Sequence, residues 1–106
     1  MKTYIQVTTT TEDRQQAHTI AQYLVEAKLA ACVQIEGPIT SIYRWNGKVE
    51  NTQEWLCLIK TNDDLYNKVE AAIKSLHPYE TPEIIAVPIV KGSKEYLNWL
   101  DDETEK

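Results

Sequence analysis

His77 is followed by Pro78, Glu80, Pro82 and Glu83, so an imidazole has carboxylates three and six residues downstream. A proline disfavours the helical region for the residue before it, so the spacing predicts His77 at a loop rather than in a core. A loop folding around both prolines brings the imidazole and one carboxylate together, with Glu80 the nearer. Cys32 follows Ala30-Ala31, where a helix gives way to a strand, and is the second candidate ligand. Imidazole and thiolate suit Cu2+, Cu+ or Zn2+, and both must lose a proton to bind. The plainer assignments lead: a histidine complementing a helix C-terminus, and a small buried thiol. Cys57, inside Trp55 to Ile59, reads as core, and His18 as a solvated position on the first helix.

Other chemistries find little support. Nucleophilic catalysis needs Cys or Ser within reach of a base that a third group orients, and the spacing offers no such set. Gly37, Gly47 and Gly92 are isolated, so no glycine-rich phosphate loop is present. Neither a disulfide framework nor a closed zinc site can be read from two cysteines without CxxC spacing, and isolated thiols suit a reducing compartment. Sixteen acidic against eleven basic side chains give a net charge of −5, which repels nucleic-acid phosphates. Apolar residues at 42% and charged residues at 25% fit a globular chain without a membrane span. Met1 to Ile5 runs straight into strand-like sequence, without the pattern of a leader, which gives a cytoplasmic expectation.

The elements that must position these residues follow from periodicity. Tyr4 to Val7 is β-rich, and Thr8 to Thr11 supplies hydroxyls to cap a helix with Glu12 and Asp13 in its first turn. Ala17, Ile20, Ala21, Leu24, Val25 and Lys28 form a helical stripe. Val33 to Trp45 is extended, interrupted at Gly37-Pro38, with Ile39, Ser41, Tyr43 and Trp45 on one face and Thr40, Ile42 and Arg44 on the other. Asn46-Gly47 is the preferred centre of a type I′ turn, returning the chain through Lys48 to Thr61 in a register whose paired numbers sum to 93, so Cys32 faces Thr61 unless Gly37 shifts it. Asn62 or Asp63 caps a second helix ending at Pro78. Glu83 to Val87 is a last strand, and Ser93 caps a short helix before the acidic tail Asp101 to Lys106.

A chain of 106 residues fits a single domain spanning 1–106. The order β-α-β-β-α-β with a C-terminal helix is the ferredoxin-like arrangement of the α+β class. Hairpin arms of roughly 43 Å, at about 3.3 Å per residue, exceed a compact domain of this length. Their apolar surface and strand edges need neighbouring copies, which predicts a homotrimer.

Ala27 to Val33, Ser41 to Glu50, His77-Pro78-Tyr79-Glu80-Thr81-Pro82-Glu83 and Tyr96 to Leu100 together resemble the CutA family of divalent-cation tolerance proteins, with the spacing kept from about Ile5 to Leu100. The resemblance implies a ferredoxin-like protomer in a trimer, no established enzymatic activity, and a loosely defined link to copper and other divalent metals. Some relatives carry a cysteine at the end of the first strand and a second histidine before the HPY histidine; here Thr9 and Leu76 stand there. A metal site in this chain is therefore expected at His77, completed by Cys32, Glu80 or a neighbouring protomer, and holding Cu2+ or Zn2+ weakly. The resemblance also implies kinship in shape with PII-type signalling trimers. In that alternative a cleft between protomers holds a small anionic ligand, with Lys60, Arg44 and Lys91 as counter-charges.

Overall fold

A computed structural model describes residues 2–106, so Met1, part of the strand-like opening, lies outside the described residues. Strand β1 (Tyr4–Thr11) leads into helix α1 (Arg14–Glu26); β2 (Cys32–Trp45) and β3 (Lys48–Asn62) form the long hairpin; a 3-10 turn (Asp63–Leu65) opens α2 (Tyr66–Leu76); β4 (Ile85–Pro88) and α3 (Lys94–Asp102) complete the chain. The strands form one antiparallel sheet in the order β2-β3-β1-β4. This is the ferredoxin-like order with the added C-terminal helix.

Alternation along each strand divides the sheet into two faces. Val7, paired with Ile59, and Thr9, paired with Cys57, lie on the helix side, where Ile20 and Leu24 of α1 and Val69 and Ile73 of α2 complete the buried core. Cys57 is wholly buried there, its thiol 3.7 Å from the Ala17 carbonyl, and burial pushes it up to about 11. His18 is exposed on α1, and Val25 stands outside the buried stripe. The opposite face carries Thr8, Thr10, Glu54, Leu56, Leu58 and Lys60, with Cys32 opposite Lys60.

Several local assignments differ from the sequence expectation. The threonine run continues β1, and Asp13 caps α1 by accepting from the Gln16 amide at 2.8 Å. The cap moves because those threonines are already committed to the strand pairing with Trp55 to Leu58. Helix α1 stops at Glu26, with Lys28 in the left-handed region at φ 60°. Asn62 caps nothing; its buried amide donates to Thr104 Oγ1 at 3.2 Å, fastening the C-terminal segment to the sheet. The last strand is Ile85–Pro88 rather than Glu83 to Val87, and Pro88 ends it as expected of a residue without a donor.

The Asn46-Gly47 turn has φ of 51° and 78°, and the sum-93 register holds from Trp45–Lys48 to Ile39–Glu54. One extra residue at Gly37-Pro38 then shifts it, so Cys32 pairs with Lys60 instead of Thr61. Cys57 pairs with Ile35, three residues or about 10 Å along the strand from Cys32, and both thiols are free. The hairpin stretches the molecule to 44 × 25 × 22 Å, with a radius of gyration of 14.3 Å against about 13 Å for a compact domain of this length.

Candidate functional site

Where β2 and β3 pair beyond the bulge, Ser41, Tyr43 and Trp45 share a face with Glu54, the face that Thr10 occupies on β1. The segment after α2 closes over them. His77 has φ −88° and ψ 133°, the extended backbone that Pro78 imposes, while its amide still donates to the Ile73 carbonyl and finishes the helix. The chain turns back toward the sheet there. Tyr79, Glu80, Pro82 and Glu83 become one wall of a cleft of about 630 Å³ whose other wall is the outer half of the hairpin, Ser41 to Trp45 on β2 with Glu54 on β3.

The wall is pinned by a run of hydrogen bonds. The Tyr79 amide donates to His77 Nδ1 at 3.1 Å, so the proton of the neutral ring resides on Nε2, which donates to the Thr10 carbonyl at 2.6 Å. The Tyr79 hydroxyl donates to Glu54 Oε2 at 3.0 Å, and its ring lies 4.6 Å from the His77 ring, centroid to centroid. Residues 77–79 are thereby tied to β1 and β3 at once. Burial, then the bond to Glu54 and that carboxylate's charge, push the Tyr79 phenol far above its ordinary value. It remains a donor at neutral pH.

His77 is therefore not the accessible loop imidazole expected from the sequence. It is 8% exposed, and in this tautomer the lone pair of Nδ1 and the proton of Nε2 are both engaged. The proline does end the helix as expected, but the extended backbone turns the ring inward. Cys32 lies elsewhere: its partner Lys60 is four residues, about 13 Å, along β3 from Leu56, the partner of Thr10, and β3 itself separates β1 from β2. Cys32 is half-buried beside Tyr96 of α3, whose phenol is raised by burial and then by that thiol. Glu80 is exposed on the cleft wall. The protomer does not bring His77, Cys32 and Glu80 together, and among the described residues no three His, Cys, Asp or Glu side chains are grouped to hold a metal.

The lining carries Glu54, Glu80 and Glu83 and no Lys, Arg or His. The counter-charges of the anionic-ligand alternative are dispersed. Lys60 bonds Gln34, Arg44 sits opposite Val49, and Lys91 is exposed between β4 and α3. Lys60 and Val49 are eleven residues apart on β3, about 36 Å. The field in this cleft favours a cation.

Glu54 and the inward turn of Tyr79 escaped the sequence reading. A signal for Glu54 exists: the sum-93 register places it opposite Ile39, on the face of Tyr43 and Trp45, one residue before the bulge.

Among the described residues no helix is long and apolar enough to cross a membrane. The family model described as CutA1 divalent ion tolerance protein matches residues 5–103, which contain every residue of the cleft. A divalent-cation tolerance protein of Thermus thermophilus is 52% identical over 88 residues, covering 83% of this chain and 85% of that protein. Mouse protein CutA is 45% identical over 89 residues, 84% of this chain but 50% of the mouse protein. A solved structure of the divalent cation tolerance protein from Thermus thermophilus superposes with a TM-score of 0.94 at 47% identity, covering 96% of this chain and 99% of that one. The structure described as the periplasmic divalent cation tolerance protein from Archaeoglobus fulgidus gives 0.91 at 40% identity, covering 99% and 100%.

Proposed function

This chain belongs to the CutA1 divalent ion tolerance family, and from that membership we propose that it is a non-enzymatic divalent-cation tolerance protein, acting in the cytoplasm as a homotrimer that holds Cu2+ or Zn2+ weakly. The observation that carries the reading is the family match across residues 5–103. The acidic cleft agrees with it in sign. Of the three candidate ligands, Glu80 alone presents an exposed carboxylate on the cleft wall; His77 has both nitrogens engaged, and Cys32 stands at the far end of the hairpin. A metal meeting few, hydrated oxygen donors binds weakly and exchanges readily, with Cu2+ first in the usual order of divalent affinities.

The trimer is supported by what one protomer leaves uncovered. Ile42 is 67% and Val49 64% exposed near the hairpin tip, and Ile85 and Val87 stand exposed on the edge strand β4. Strand edges and apolar tips of this kind need partners to avoid open-ended pairing. Sedimentation at micromolar protomer concentration gives a single trimeric species on this reading, and a stable monomer refutes it.

Calorimetric titration with Cu2+ and Zn2+ tests the metal. Glu80→Gln weakens binding, Cys32→Ser leaves it in place, and the anion-binding alternative gains only if the wild type takes up no metal. Unchanged affinity in Glu80→Gln moves the site elsewhere.

A further inference from the structure

Glu54 is 5% exposed, yet no cation offsets its charge. The four ion pairs among the described residues are Lys2–Asp101, Lys68–Glu105, Lys74–Glu70 and Lys106–Asp101, so no Lys, Arg or His nitrogen lies within 4.0 Å of the Glu54 carboxylate. Its partner is the neutral phenol of Tyr79, held protonated and aimed at one carboxylate oxygen. A buried carboxylate satisfied by one neutral donor lacks the counter-charge that buried ions ordinarily require. The surroundings add to the deficit, since Glu80 and Glu83 line the same cleft and no basic side chain does.

The shape and the remaining lining restrict the class of cation. A volume of about 630 Å³ falls in the range of small-molecule sites and far exceeds one metal ion. The metal-capable side chains do not converge there in threes. Tyr43 and Trp45 contribute aromatic surface to the wall facing Tyr79, and aromatic faces attract ammonium and guanidinium groups while covering the apolar part of a ligand. We propose that this cleft binds a small organic cation, an amine or guanidine whose charged end pairs with Glu54 and whose hydrocarbon body lies against Tyr43 and Trp45. Glu80, the carboxylate of the proposed metal reading, lines the same cleft, but the pairing with Glu54 does not rest on a bound metal, and metal-free protein keeps the two readings apart in the test. The same chemistry has a second source, a Lys or Arg side chain of another copy of this chain, and the experiment distinguishes the two.

The test is calorimetric titration of the full, EDTA-treated chain with agmatine, which carries both a guanidinium and an ammonium, and with glutarate as the anionic control. Agmatine binds saturably and more weakly as salt rises, and glutarate does not bind. Glu54→Gln keeps an acceptor for the Tyr79 hydroxyl and so preserves the fold, while agmatine affinity falls roughly tenfold or more. Trp45→Leu, at an exposed position, weakens binding independently and carries the test if Glu54→Gln does not fold. Equal affinity of the folded Glu54→Gln variant, or no saturable agmatine binding to wild type, overturns the proposal. Dissociation of the Glu54→Gln assembly on sedimentation, with no agmatine uptake by wild type, assigns the counter-charge to a second copy and equally overturns a free ligand.

Discussion

Gly37→Ala places a methyl group where the hairpin has no room for one. A Cβ on Gly37 lies 2.6 Å from Trp55 Cδ1, 2.8 Å from its Cγ and 3.1 Å from the Glu54 carbonyl oxygen. Ordinary carbon contacts fall near 3.5–4.0 Å, so the indole must withdraw by about 1 Å. It backs onto the core, and the carbonyl belongs to the main chain, so neither contact is relieved by a simple rotamer change. Overpacking of this kind costs about 1–3 kcal/mol, and in a domain of about this size each kcal/mol lowers Tm by roughly 4–8 °C. The assay is urea and thermal denaturation of wild type, Gly37→Ala, Trp55→Ala and the double variant, at one protomer concentration because association ties Tm to it. Removing the indole removes two of the three close contacts. The Gly37→Ala penalty should therefore shrink to about 0.5 kcal/mol in the Trp55→Ala background, and the difference measures the coupling. A Gly37→Ala protein as stable as wild type, or one penalised equally in both backgrounds, would refute the reasoning.

His77→Phe keeps a ring but strands the Thr10 carbonyl and the Tyr79 amide, so stability should drop by about 2–4 kcal/mol in urea titration, and an effect below about 1 kcal/mol would contradict the pinning role. Burial raises the Cys57 thiol to about 11, so the unfolded chain loses its proton first; that contribution is complete below the ordinary thiol value and is lost as pH rises through about 11. The wild-type urea midpoint should accordingly fall faster than that of Cys57→Ala between about pH 8 and about pH 11; parallel curves would refute it. In the native protein Cys32 should react with a thiol reagent well before Cys57, and simultaneous reaction of both would count against the buried position of Cys57. Asp13→Ala should cost about 1 kcal/mol through loss of the α1 cap, and an unchanged urea midpoint would mean the cap is replaced from elsewhere.

The order of elements was legible because each announces itself locally. The α1 stripe of Ala17, Ile20, Ala21 and Leu24 has helical period, and Asn46-Gly47 alone set the register of the hairpin as far as Glu54. Sequence lost the thread where spatial neighbours decide. Thr8 to Thr11 suit a cap as well as a strand, and only pairing with Trp55 to Leu58 makes them strand. The proline after His77 correctly ended α2, yet whether the ring then faces water or Thr10 depends on a residue 67 positions away. Glu54 looks like any polar strand residue until Tyr79, 25 positions on, arrives above it.

The bulge at Gly37-Pro38 has a consequence for the lengths this hairpin can take. Before it, the even-numbered residues Cys32, Gln34 and Glu36 occupy the face opposite the helices; after it, the odd-numbered Ile39, Ser41, Tyr43 and Trp45 do. Losing one residue there would leave a single residue opposite Trp55, so the alternation would run unbroken: Ile39, Ser41, Tyr43 and Trp45 would stay on the Glu54 face, and only the local kink and extra twist of the bulge would go. Losing two would bring Ile39 opposite Trp55 and exchange the two sides of the arm, turning Ile42 and Arg44 to the Glu54 face and Tyr43 and Trp45 away from it. Tolerance to deletion at this point is thus a matter of count: one residue can go at the cost of the bulge alone, whereas loss of the second is equivalent to rewriting the whole cleft-facing half of the strand.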